Sequence, residues 1–95
     1  MSSAPLLSDI RFMPARPDQR RSGMIGWICC ALDGQIQLDG LALRRTEAGH
    51  LCLSFPARTD AGGREHPYYR PLSNRVRDAI QAQVIAELRV RGYVL

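Results

Sequence analysis

A chain of 95 residues with 45% hydrophobic content has room for one domain and one modest core, and size alone makes it marginal without a partner. No stretch approaches the roughly 20 apolar residues of a membrane span, and "MSSAPLLSDI" has neither the basic start nor the long apolar run of a signal peptide. The formal charge is +4 and the sequence pI about 9.5, the first part of a nucleic-acid binder's footprint.

Residues 1–7 read as a loose leader. "SDIRFMPAR" then alternates, with Ile10 and Phe12 on one side and Asp9, Arg11 and Met13 on the other. That is a half-buried strand, closed by Pro14. "PDQRRSG" reads as a charged, turn-rich connection.

"MIGWICCALDGQIQL" carries the clearest local signal. Two apolar runs flank Asp33-Gly34, the dipeptide suited to a type I′ turn with positive φ at both central residues. The run Met24 to Leu32 is apolar on both faces: Met24, Ile28, Cys30 and Leu32 on one, Ile25, Trp27, Cys29 and Ala31 on the other. Such a strand lies centrally with cover on each side. Beyond the turn, Ile36 and Leu38 give way to Leu41 and Leu43, a phase change at Asp39-Gly40 that marks a β-bulge. "RRTEAGH" turns the chain, "HLCLSFP" alternates with Leu51, Leu53 and Phe55 inward, and "ARTDAGGR" turns it again. "EHPYYRP" reads as a short edge strand, because its prolines bar it from a central ladder.

From Ser73 the period changes to that of a helix over 73–91. Ser73 is a good N-cap. Val76, Ile80, Val84 and Leu88 form one apolar stripe with Ala79 and Ile85 beside it, and Gly92 is a natural stop. The expected fold class is therefore α+β: a single domain over 1–95, an antiparallel β-meander of about five strands with one C-terminal helix packed on the sheet. One helix covers one sheet face. The other face of the Met24–Leu32 strand needs a cover too, and a second copy of the chain supplies it most simply. A homodimer through the sheet is the expectation.

No catalytic constellation stands out. There is no Gly-x-Ser-x-Gly elbow, no phosphate loop and no Gly-x-Gly-x-x-Gly, so neither an enzyme nor a small-molecule substrate is expected. Cys29, Cys30 and Cys52 read as free thiols of a reducing cytoplasm. His50 and Cys52 share a strand face, but no Cys-x-x-Cys or His-x-x-x-His spacing supports a metal site, and no cofactor is expected.

The arginines are the informative group. All 13 basic residues are arginine. A GC-rich genome would give that without functional demand, yet guanidinium forks bind phosphate bidentately and stack on rings. Arg44, Arg45, Arg58 and Arg64 fall near turns assigned to one end of the meander. Arg70, Arg75 and Arg77 flank the helix start, and Tyr68 and Tyr69 lie among them. A cationic stripe beside aromatic rings suits a nucleic-acid backbone with occasional base stacking. The alternative is a protein-interaction module using the sheet face and the Tyr68/Tyr69 loop.

Several stretches in order resemble the SpoVG family of bacterial septation and sporulation regulators: "DIRF" at Asp9–Phe12, the strand ending "ALDG", "LDGLALRR", Phe55-Pro56-Ala57-Arg58, Gly62-Gly63, His66-Pro67, and Arg75 with Ile80. The resemblance spans roughly Asp9 to Leu88. It implies a meander-plus-helix protein that dimerises through its sheet and binds DNA or RNA without enzymatic activity. It also implies that Arg58 matches the first residue of a basic pair linked to DNA binding. Thr59 stands where the family has the second, "YYRPLS" replaces a shorter connection, and the family's acidic tail is missing.

Overall fold

A computed structural model describes residues 4–95. Its elements in chain order are β1 (Leu7–Pro14), α1 (Pro17–Arg20), β2 (Met24–Leu32), β3 (Ile36–Arg45), β4 (Leu51–Ser54), β5 (Ala57–Thr59), β6 (Glu65–Pro67) and α2 (Asn74–Val90). The first four strands form an antiparallel sheet in the order β1-β2-β3-β4, and β5 and β6 form a separate two-stranded ribbon. The α+β class is as expected. The expected edge strand around His66 exists, but it pairs with β5 through Ala57↔Pro67, Arg58↔His66 and Thr59↔Glu65, not with the main sheet.

Local chemistry explains the register. The β2–β3 turn closes with Gln35 N–H donating to the Leu32 carbonyl, and Asp33 and Gly34 both adopt positive φ, 53° and 66°, as a type I′ turn requires. The phase change at Gly40 is a bulge: Ile28 pairs with Leu41 and Cys30 with Leu38, so Asp39 and Gly40 together face one residue, at φ +78° for Gly40. The bulge lets both Leu38 and Leu41 point into the core. A second bulge in β1, between Ser8 and Arg11, places Asp9 at φ 49° and keeps Leu7, Ile10 and Phe12 on the core side.

Helix α2 begins as read: the Ser73 side chain accepts from Val76 N–H at 3.2 Å. Its stripe of Ile80, Val84 and Leu88 is buried against Ile28, Cys30, Leu41, Leu43 and Leu53. Two glutamines hold it across the sheet. Gln81 accepts from Leu53 N–H and donates to the Leu51 carbonyl at 3.1 Å each. Gln83 accepts from Leu7 N–H at 2.9 Å and donates to the Pro5 carbonyl at 2.6 Å. Each side-chain amide supplies the donor and acceptor a further strand would have given to β4 and to the start of β1, which satisfies backbone groups that an edge otherwise leaves open. Leu7 therefore belongs to β1 and the core rather than to a loose leader; the first three leader residues lie outside the described ones. At the other terminus, Tyr93 packs edge-on against Phe12 with ring centroids 4.8 Å apart and Leu95 touches the core, but Val94 is fully exposed.

The sheet face away from α2 is partly exposed among the described residues. Met13, Trp27, Ala42 and Ser54 form one row across all four strands. Met13 is 51% exposed, and Trp27, Cys29 and Ala31 are half-buried.

Candidate functional site

The ribbon is built by Asp60. Its carboxylate accepts from Gly62 and Arg64 N–H at 2.9 and 3.0 Å and meets His66 Nε2 at 2.7 Å. The His66 hydrogen bond, then that from the Arg64 backbone, hold the Asp60 carboxyl below its ordinary value, with the Gly62 N–H adding to them against a small opposing effect of burial. One short acidic side chain thus closes the β5–β6 turn and fixes His66, a role Asp performs well in turns.

Residues directly opposite in an antiparallel pair share a face, and faces alternate along each strand. Arg58 opposes His66. Pairing continues one step further, with Tyr68 N–H donating to the Pro56 carbonyl at 3.0 Å. Arg58, His66 and Tyr68 accordingly project on one face of the ribbon, and Glu65 on the other. Arg58 is exposed and Tyr68 is 67% exposed. Arg64 at the turn and Arg70 after the ribbon are exposed too. None of Arg58, Arg64 and Arg70 pairs with a carboxylate among the described residues.

The two tyrosines differ. Tyr69 is half-buried, with its ring edge-on to Phe55 at 5.9 Å and its hydroxyl donating to the Asp39 carbonyl at 2.7 Å. Burial first, and then nearby Cys30, Asp39 and Cys29, push its hydroxyl up to about 12. Tyr69 is a structural strut that ties the loop to the β3 bulge, and Tyr68 is the ring free to stack. Arg77 lies over the same Phe55 ring, 5.9 Å from its centroid, a cation–π arrangement. Arg75 is exposed at the first turn of α2.

Arg44 and Arg45 do not join this group. They end β3 opposite Cys52 and Leu51, at the start of β4, whereas the ribbon leaves from the far end of β4, where Pro56 sits beside Gly40. The meander reverses direction at each turn, so turns adjacent in sequence lie at opposite ends of the sheet. Along β3 the separation from Gly40 to Arg45 is about 17 Å at ~3.4 Å per residue. Arg45 instead lies at the end of the sheet that carries Arg20 and Arg21, residues of the expected charged connection, because its N–H bonds to the Gly23 carbonyl. Both line a cleft with Arg45 beside Gly23. The signal available was Pro17 at the first position of a helix with Asp18 following it, a short helical start that α1 realises.

The three cysteines are free thiols, Cys30 buried and Cys29 and Cys52 half-buried. Cys30 is fully buried, and desolvation, followed by the neighbouring Cys29 and Asp39, pushes its thiol up, away from the reactive thiolate. Among the described residues no cluster of three His, Cys, Asp or Glu side chains is placed to hold a metal, and no helix is long and apolar enough to cross a membrane.

No family model matches the chain, and a search of curated proteins finds no relative.

Proposed function

We propose that the protein is a non-enzymatic, homodimeric, cytoplasmic nucleic-acid-binding regulator, of the kind implied by its resemblance to the SpoVG family and acting on transcription, septation or sporulation-type development. The observation that carries the reading is the ribbon face: an unpaired Arg58 and an exposed Tyr68 ring brought together by strand register, with Arg64 and Arg70 beside them. Guanidinium groups with free donors suit phosphate oxygens, and an exposed ring next to them suits an unpaired base. The face around Trp27 supports the dimer, since a partly exposed tryptophan beside an exposed methionine in the row Met13, Trp27 and Ala42 is an interface signature. Mobility shift with random-sequence DNA and RNA over a salt series tests the reading. Binding that weakens steeply with salt supports it, and failure to shift either polymer at low salt rejects it.

One observation favours the second reading, a protein-interaction module. A groove of about 380 Å3 between the β2–β3 turn and the start of α2 is lined by Leu32, Ile36, Leu38, Phe55, Tyr69 and Leu72. Ile36 and Leu72 on it are 57% and 91% exposed, more apolar surface at one place than scattered surface residues give.

A further inference from the structure

Gly23 joins α1 to the end of β3. Its N–H donates to the Arg20 carbonyl at 3.0 Å and its carbonyl accepts from Arg45 N–H at 2.7 Å. It sits at φ +94°, and a Cβ there would lie 2.5 Å from the Arg45 carbonyl oxygen, so only glycine permits this approach. The consequence is a cleft of about 410 Å3 with Arg20, Arg21 and Arg45 in its walls, together with Thr46 and Glu47.

The three cations are poorly neutralised. Among the described residues none of them pairs with a carboxylate; Asp18 is taken by Arg16 at 3.5 Å, and Glu47 lines the cleft without an ion pair. Two of them are aimed. Arg20 Nε donates to the Ala15 carbonyl at 3.1 Å, and one terminal nitrogen of Arg45 donates to the Gly49 carbonyl at 3.2 Å. A guanidinium has five N–H donors, so each keeps most of its fork unused. Like charges gathered by a backbone clasp repel one another, and an anion between them relieves the repulsion.

We infer that this cleft is a second phosphate-binding site, at the opposite end of the sheet from the ribbon, where Arg20, Arg21 and Arg45 contact the backbone of the same nucleic acid. The inference rests on the nucleic-acid reading above and extends it to residues that reading does not use. Phosphate contacts of this kind position the polymer and carry no sequence information.

The test is fluorescence anisotropy of a labelled random-sequence duplex across a salt series, with wild type, Arg21→Ala, Arg45→Ala and Arg58→Ala. Each lost contact removes about 0.9 from the slope of log K against log salt, which is a weakening of about eightfold at ~0.1 M salt. Among the described residues the Arg21 side chain makes no hydrogen bond, and its backbone N–H bond to the Gln19 carbonyl survives truncation, so Arg21→Ala reads phosphate contact with the fold untouched; circular dichroism checks Arg45→Ala, which also loses the Gly49 contact. Shallower slopes for both variants support the cleft. Wild-type slopes for both, with Arg58→Ala still weakened, overturn the cleft and leave the ribbon reading standing. No binding by wild type overturns both.

Discussion

Removing one glutamine amide from α2 tests how the helix is fastened to the sheet. Gln81→Leu keeps the side chain's bulk but deletes the bonds to Leu53 N–H and the Leu51 carbonyl. A typical intramolecular hydrogen bond contributes about 0.5–1.5 kcal/mol net, and orphaning its partner adds to the loss. Both bonds are only part-buried, so water reaches the freed groups and the lower part of the range applies. The expected loss is about 1–2 kcal/mol, out of about 5–14 kcal/mol for a domain of this size. Thermal unfolding followed by circular dichroism should show Tm lower by about 4–16 °C. Gln83→Leu, acting on Leu7 and Pro5, should cost a similar amount, and the double variant should be additive within about 0.5 kcal/mol, because the two contacts lie on different strands. The functional link is direct: β4 leads straight into the ribbon, so loosening β4 should also weaken nucleic-acid binding. Losses below about 0.5 kcal/mol for both variants would refute the clamp and leave the apolar stripe alone as the fastening.

Sedimentation equilibrium at micromolar concentration should give a mass near twice 10.6 kDa, and Trp27→Arg should give a folded monomer; a wild-type monomer under those conditions refutes the sheet-face dimer. Acid should open the ribbon before the core: because Asp60 is held below its ordinary 3.8, its contribution is complete above that value and is lost as pH falls through the lower folded value. Amide NMR signals of residues 57–67 should therefore shift below pH 3.8 while those of α2 hold, and Asp60→Ala should show the opened ribbon already at neutral pH; a ribbon unchanged by both would refute the organising role of Asp60.

Local chemistry made some of the fold legible. Asp33-Gly34 and the phase break at Gly40 are short-range signals whose geometry follows from backbone sterics, and the helix stripe follows from one period held from Val76 to Leu88. What escaped depended on long-range contacts. Nothing in "EHPYYRP" says that its partner is Ala57–Thr59 instead of the main sheet. Gln81 and Gln83 read as ordinary polar helix residues until the sheet edge lies beside them. Tyr68 and Tyr69 look alike in sequence; only the Phe55 ring and the Asp39 carbonyl separate the strut from the free ring. Arg45 joined the wrong group because nearness to a turn does not say which end of a meander the turn occupies. Its true neighbour, Arg20, comes to it through Gly23.

The salt dependence of Arg58→Ala, read with that of Tyr68→Ala, bears most directly on the central claim that the ribbon face binds nucleic acid. Arg58→Ala should weaken binding to all sequences alike, with a slope of log K against log salt shallower by about 0.9 on duplex and about 0.7 on single strands. Tyr68→Ala should weaken single-strand binding by about 1–3 kcal/mol and duplex binding less. Wild-type binding that is feeble and nearly salt-independent, with a slope that Arg58→Ala leaves unchanged, would contradict the account, make the arginines a solvated rim and leave the apolar groove as the place to look for a protein partner.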